Sequence, residues 1–186
     1  MEATSNEEDS GQEWVKTAQP WARFWARIVD ITVLSLPVGL VIGILFPTFA
    51  TSMADKGNSQ ANLFGLLILP LVLLLDAAII SITGSSIGKS LAGIRVETQA
   101  HEKLPMETSL KRNLLLWVKG LILGLPLFSL IGYWNGYKEV QESGSTSWDK
   151  DTSTQMVDVG GNLVRTSLTA ILAILCLAFS NALSRM

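Results

Sequence analysis

One cysteine and one histidine serve the whole chain of 186 residues. Cys176 alone can form no internal disulfide, and with His101 as the only histidine there is no Cys/His set of metal-ligand spacing. Ser/His/Asp or Cys/His nucleophilic catalysis would have to run through His101. That residue lies in the polar stretch Gln99-Ala100-His101-Glu102-Lys103 and reads as a solvated loop histidine. No cofactor, no metal and no enzymatic activity are expected. Charge is scarce as well: 16% of the residues are charged, against roughly 25% in soluble domains, and mean hydropathy is +0.37. The 48% of apolar residues cannot all hide in one small core, which disfavours a soluble domain.

The apolar residues are gathered into four stretches, residues 28–50, 63–83, 113–134 and 166–184. Each is close to the 17 to 25 residues, roughly, that a helix needs to cross the hydrocarbon core. None alternates with period two, and in lipid only helices or closed barrels satisfy every backbone group. The expected fold is all-α: a polytopic transmembrane helical bundle of four apolar segments. Residues 1–19 form an acidic N-terminal tail, disordered or interfacial, with Glu2, Glu7, Glu8, Asp9 and Glu13 against Lys16. Such an acidic start does not suit a cleavable signal peptide. Trp14, Trp21, Phe24 and Trp25 alternate with basic residues up to the first segment, a mixture suited to the headgroup region.

Lysine and arginine counts orient the bundle. The N-terminal segment has Lys16, Arg23 and Arg27, the first loop only Lys56, and the second loop Lys89, Arg95, Lys103, Lys111 and Arg112. This places the N-terminus and the second loop in the cytoplasm of an inner-membrane protein. The third loop, residues 135–163, is acidic, so four simple spans place it outside. An interruption at Gly124-Leu125-Pro126 allows the alternative, a re-entrant hairpin in the third segment. Small-xxx-small pairs, Gly39-xxx-Gly43 and Gly120-xxx-Gly124, are expected to let helices approach.

Three charges lie inside the apolar stretches: Asp30, Asp76 and Lys119. At about 1.5 Å per residue all three fall roughly 10–12 Å deep on the same side. Arg23, Arg27 and Asp30 share one helical face, and Arg112 and Lys119 repeat the i, i+7 relation. An ionised side chain at a helix centre costs roughly 2.5–3.5 kcal/mol on insertion scales, so these groups are expected to meet inside the bundle. Two readings stand. The carboxylates are either polar glue paired with Arg23, Arg27 and Lys119, or a site exchanging protons and monovalent cations.

Gly84-Ser-Ser-Ile-Gly88-Lys89-Ser90 imitates a phosphate-binding loop, but it has three residues between its glycines where four are needed, and no strand pattern precedes it. The bases of the second loop are interspersed with Glu97, Glu102 and Glu107, which points to anionic lipid and away from nucleic acid.

Arg23-Phe-Trp-Ala26-Arg27-Ile-Val-Asp30 resembles the opening motif of the RDD family of bacterial integral membrane proteins, and Ser86-Ile87-Gly88-Lys89-Ser90-Leu91-Ala92-Gly93-Ile94-Arg95-Val96 resembles its Gly-Lys signature. Trp148-Asp149-Lys150 leading to Thr154-Gln155-Met156-Val157 is similar to a later element, with Ser153 where the family usually has glycine. The resemblance covers a membrane domain at residues 20–160 and leaves 161–186 as an additional C-terminal transmembrane helix. It implies Gly88, Lys89, Gly93, Arg95 and Asp149 as motif positions, Arg23 as the family arginine, Asp30 as its first aspartate, and Asp76 or Asp149 as its second. It also pulls the third loop towards the cytoplasm. The implied activity is ion transport, in some members cation/proton antiport; because four helices alone enclose little pathway, a homo-oligomer is expected. The alternative is a non-transporting accessory or assembly subunit of a larger membrane complex.

Overall fold

The computed structural model describes residues 17–48, 51, 59–120 and 126–183. The acidic tail, most of the first loop and the Gly124-Leu125 break lie outside the described residues. The elements in chain order are α1 (Pro20–Leu45), α2 (Ser59–Thr83), α3 (Ile87–Leu91), β1 (Ile94–Thr98), α4 (Met106–Leu115), a π-helical turn (Leu116–Gly120), α5 (Pro126–Ser143), α6 (Ser147–Lys150), β2 (Thr154–Asp158) and α7 (Leu163–Leu183).

Among the described residues two helices are long and apolar enough to cross a membrane, Pro20–Leu45 and Leu163–Ala182, and Ile68–Thr83 is a shorter apolar stretch. Their burial is inverted relative to a soluble protein. Leu40, Ile44 and Ile82 are 66%, 70% and 72% exposed, whereas Asp30 and Asp76 are each 1% exposed. Helices that turn leucine outward and aspartate inward are arranged for a hydrocarbon solvent. α7 shows α1 a narrow stripe, Thr169 and Ala173, one turn apart and both buried.

The all-α expectation requires a correction, because the second and third loops each contain a strand and the strands pair antiparallel. The register runs from Ile94 opposite Asp158 to Thr98 opposite Thr154. Thr17 bridges to Val157, and the Ala18 amide donates to the Met156 carbonyl, so the approach to α1 lines the same sheet. The strands escaped the sequence reading because each is five residues long and sits in a polar loop, where period-two alternation is too short to register. Their pairing puts both loops at one end of the bundle, here called the sheet end. The third apolar stretch is divided into α4, the π turn and α5.

The two loops follow one plan. α2 ends at Thr83, Gly84 turns at φ 79, α3 follows, Gly93 turns at φ 72, and β1 begins. α5 ends at Ser143, Gly144 turns at φ 71, α6 follows, Ser153 turns at φ 51, and β2 begins. The two helix ends are closed alike: the Thr83 hydroxyl reaches back to the Ile79 carbonyl and across the turn to that of Ser85, and the Ser143 hydroxyl does the same with Glu139 and Ser145. In the register the first residue of each strand faces the last of the other, so an approximate two-fold axis passes through the Val96–Met156 pair. The chain therefore carries two units, α1–α2–α3–β1 and α4–α5–α6–β2, that share the plan of their later parts, from the end of the second helix to the strand, and are followed by α7.

The core of Ala18, Ala22, Ala26, Ile80, Ala92, Ile94, Val96, Leu104 and Met156 is drawn mainly from the first unit, with Met156 contributed by β2. Alanines at 22 and 26 give α1 a flat face on which α3 lies. The Gly39-xxx-Gly43 pair does not serve in this way, since a Cβ at either position meets nothing within 4 Å. Gly39→Ala and Gly43→Ala should each raise stability by up to about 1 kcal/mol through helix propensity. The readout is the thermal unfolding midpoint in detergent; a loss of similar size would mean that another copy covers this face.

Candidate functional site

Two buried charge clusters lie at the sheet end, where the units meet. In the first, Lys89 joins both carboxylates: its Nζ lies 3.0 Å from Asp30 Oδ2 and 3.2 Å from Asp76 Oδ1, and it donates to Ser86 Oγ at 2.7 Å. Asp30 also accepts from the Ser86 hydroxyl and from the Gly88 amide at 2.6 Å. Asp76 accepts from Arg27 Nη1 at 2.9 Å and from Asn113 Nδ2 at 3.0 Å. Two acids and two bases balance. Lys89 is 1% exposed. Burial pushes its ammonium below the ordinary value and the nearby Arg27 guanidinium adds to this, while Asp30 and Asp76 oppose it.

Backbone geometry explains how Lys89 gets there. α3 presses so closely on α1 that a Cβ on Gly88 would stand 2.2 Å from the Ala26 carbonyl oxygen. Without a side chain, the Gly88 amide reaches the Asp30 carboxylate and the next residue, Lys89, points between the two helices. The loop that imitates a phosphate-binding motif thus holds a carboxylate of its own chain.

The second cluster is centred on Asp149, the position in the second unit that corresponds to Lys89. Arg112 Nε donates to Asp149 Oδ1 at 2.7 Å, Thr146 Oγ1 donates to Oδ2 at 2.7 Å, and Arg23 Nη1 lies 3.6 Å from Oδ2. Arg23 also donates to the Ala18 and Gly144 carbonyls. Here two bases face one acid, the reverse of the first cluster's lysine between two acids.

A model of the RDD family matches residues 17–150. The chain belongs to the RDD family. That family is made up of membrane proteins, in agreement with the inverted burial of α1 and α7. Comparison with curated proteins and with solved structures gives no match. In this RDD protein both candidates for the second aspartate are used, Asp76 by the first cluster and Asp149 by the second. Gly93 and Ser153 occupy equivalent left-handed turns, at φ 72 and φ 51. Ser153→Gly is expected to stabilise the protein by about 1 kcal/mol, since a Cβ is unfavourable at φ 51; thermal unfolding measures it.

Several placements correct the sequence expectations. Asp30, Asp76 and Arg27 do meet, but Lys119 is not with them. It pairs with Asp151, and both side chains are nearly half exposed. The reason is the π turn Leu116–Gly120, whose wider winding moves Lys119 out of the phase that regular helical spacing gives it. Arg112 and Lys119 therefore leave the common face that regular helical spacing gives them. Arg23 serves Asp149 and not Asp30. Arg95 is exposed and lies 3.8 Å from Glu97 Oε1, outside both clusters. His101 is exposed in a turn, with Nδ1 3.2 Å from Glu97 Oε2. Sequence reading missed Ser86, Asn113 and Thr146 as carboxylate donors. Their polar character inside or beside apolar runs was the available signal.

Proposed function

We propose that this RDD protein is a multi-pass inner-membrane transporter that exchanges a monovalent cation for a proton at Asp30 and Asp76, with Lys89 as the internal counter-ion. The observation that carries the reading is one ammonium shared by two buried carboxylates. With Lys89 charged, the cluster of Arg27, Lys89, Asp30 and Asp76 is neutral. Loss of one proton from Lys89 leaves one negative charge, which one monovalent cation cancels. Each step avoids leaving a net charge in a medium of low dielectric constant, so one-for-one exchange is the favoured stoichiometry. In this reading the N-terminus and the sheet end are cytoplasmic, the third apolar stretch enters and leaves from that side, and a homo-oligomer supplies the walls that four segments lack.

Proteoliposomes with an imposed pH gradient and an interior pH dye test the reading. Sodium or potassium should collapse the gradient without generating a potential. The double variant Asp30→Asn with Asp76→Asn, and Lys89→Arg, which keeps the charge but does not release its proton, should both abolish the response. Exchange that survives in either variant, with the fold intact by thermal unfolding, would sink the assignment. Orientation is tested separately: with Cys176→Ala, a single cysteine at Ser145 should resist labelling from outside intact cells.

A second reading has its own observation. Every oxygen of Asp30 and Asp76 accepts a hydrogen bond from a protein donor. Such saturation suits a static latch in a non-transporting subunit of a larger membrane complex. A stoichiometric partner from native membranes, together with no flux from the purified protein, would favour it.

A further inference from the structure

The second cluster opens onto a cavity that the exchange reading does not use. It measures about 400 Å³ and is walled by Trp21, Phe24, Tyr133, Trp134, Tyr137 and Trp148, with Arg23, Arg112 and Asp149 on its lining. The aromatic walls hold one another: Phe24 meets Tyr133 edge-on at 5.4 Å, and Trp134 stacks on Tyr137 at 5.9 Å. Trp21 and Trp134 are 56% and 60% exposed, and Lys138 Nζ lies 5.6 Å over the Trp134 ring. Indole rings with a lysine beside them belong at the headgroup level of a bilayer, so the cavity faces lipid at the sheet end.

The charges inside do not balance. Two guanidiniums face one carboxylate, and Nη1 of Arg23 and Nη1 of Arg112 each lack a hydrogen-bond partner although both are buried. Arg112 is 1% exposed. A buried N–H without a partner costs about 1–3 kcal/mol, more when charged; the cost falls most on Arg112 Nη1, since Arg23 Nη1 keeps a longer ion pair to Asp149 at 3.6 Å. Arg27, also on the lining, is matched by Asp76 and leaves no surplus. The surplus is one positive charge with two donors, at the end of a cavity whose remaining surface is mostly aromatic and aliphatic.

We propose that this cavity binds the singly charged phosphate diester of an anionic phospholipid, with the phosphate oxygens on Arg23 and Arg112 and the glycerol and first acyl carbons against Phe24, Tyr133 and Trp148. Guanidinium donors match phosphate oxygens in geometry and charge. The aromatic walls disfavour a bare hydrated anion, which would lose water there without replacement, and accept the apolar part of a lipid. Basic pockets between helices at one leaflet are a recurrent form of headgroup site. A zwitterionic lipid brings a cationic group that the surplus charge repels. The site shares no residue with the Lys89 cluster except Arg27 at its edge, and its occupation does not depend on whether exchange occurs.

The test uses the full chain in phosphatidylcholine nanodiscs doped with brominated phosphatidylglycerol or, separately, brominated phosphatidylcholine. Bromine quenches nearby tryptophans, and Trp21, Trp134 and Trp148 line the cavity. Brominated phosphatidylglycerol should half-saturate the quenching at a mole fraction on the order of tenfold lower, as expected for a charged hydrogen bond. Arg112→Gln should remove that preference. Because this variant also disturbs Asp149, Val140→Phe serves beside it: Val140 lines the cavity, and phenylalanine there narrows it without removing any member of an ion pair. Loss of the preference in Val140→Phe supports the site. Equal quenching by the two lipids, or a preference that persists undiminished in both Arg112→Gln and Val140→Phe, overturns it. Relief of the phosphatidylglycerol quenching by inorganic phosphate overturns the lipid assignment in favour of a free anion.

Discussion

Lys89→Met is expected to destabilise the protein by about 3–5 kcal/mol, because it preserves the bulk of the side chain while leaving two buried carboxylates with one guanidinium between them. The measurement is the unfolding midpoint in a mild detergent. The cause is tested by adding Asp30→Asn. In the double variant Arg27 balances Asp76, the carbonyl of the introduced asparagine can accept the Gly88 amide, and its side-chain amide can donate to Ser86. The double variant should therefore be more stable than Lys89→Met alone by more than about 1 kcal/mol. If the second change only adds to the loss, the ion pair is not what Lys89 contributes.

Gly88→Ala should cost more than about 3 kcal/mol, although it adds only a methyl group and favours a helix. The new Cβ would meet the Ala26 carbonyl at 2.2 Å and Asp30 Oδ1 at 3.0 Å. Backbone on both sides leaves no flexible end to move, so α3 must lift from α1. Lifting breaks the Gly88 amide bond to Asp30 and draws Lys89 from between the carboxylates. Thermal unfolding should show the loss directly. Undiminished stability with alanine at this position would mean that α3 and α1 are not in backbone contact. The contrast with Gly39 and Gly43, where alanine is expected to help, separates a glycine needed for approach from glycines that face open space.

Much of the membrane character could be read along the chain. Long apolar runs with few charges force helices in lipid, and α1 and α7 are where hydropathy puts them. The common face of Arg23, Arg27 and Asp30 follows from regular helical spacing, and all three do turn inward. Spacing failed at Lys119 because a single π turn changes the phase, and nothing in Leu116-Trp-Val-Lys-Gly120 marks that turn in advance. It failed again for the strands, which are stabilised by each other across the chain and carry almost no local signal.

What the sequence by itself determined was a solvent and a shortage: a chain made for lipid, with three charges inside its four apolar stretches. Tertiary structure decided the partners. Lys89 reaches Asp30 and Asp76 because Gly88 lets two backbones touch, and Asp149 gathers Arg112 and Arg23 because β1 and β2 bring both loops to one end. Helical periodicity reports only which direction a side chain faces on its own element. Which charge stands opposite depends on contacts between residues far apart in the chain, and those exist only once the two units have closed on each other.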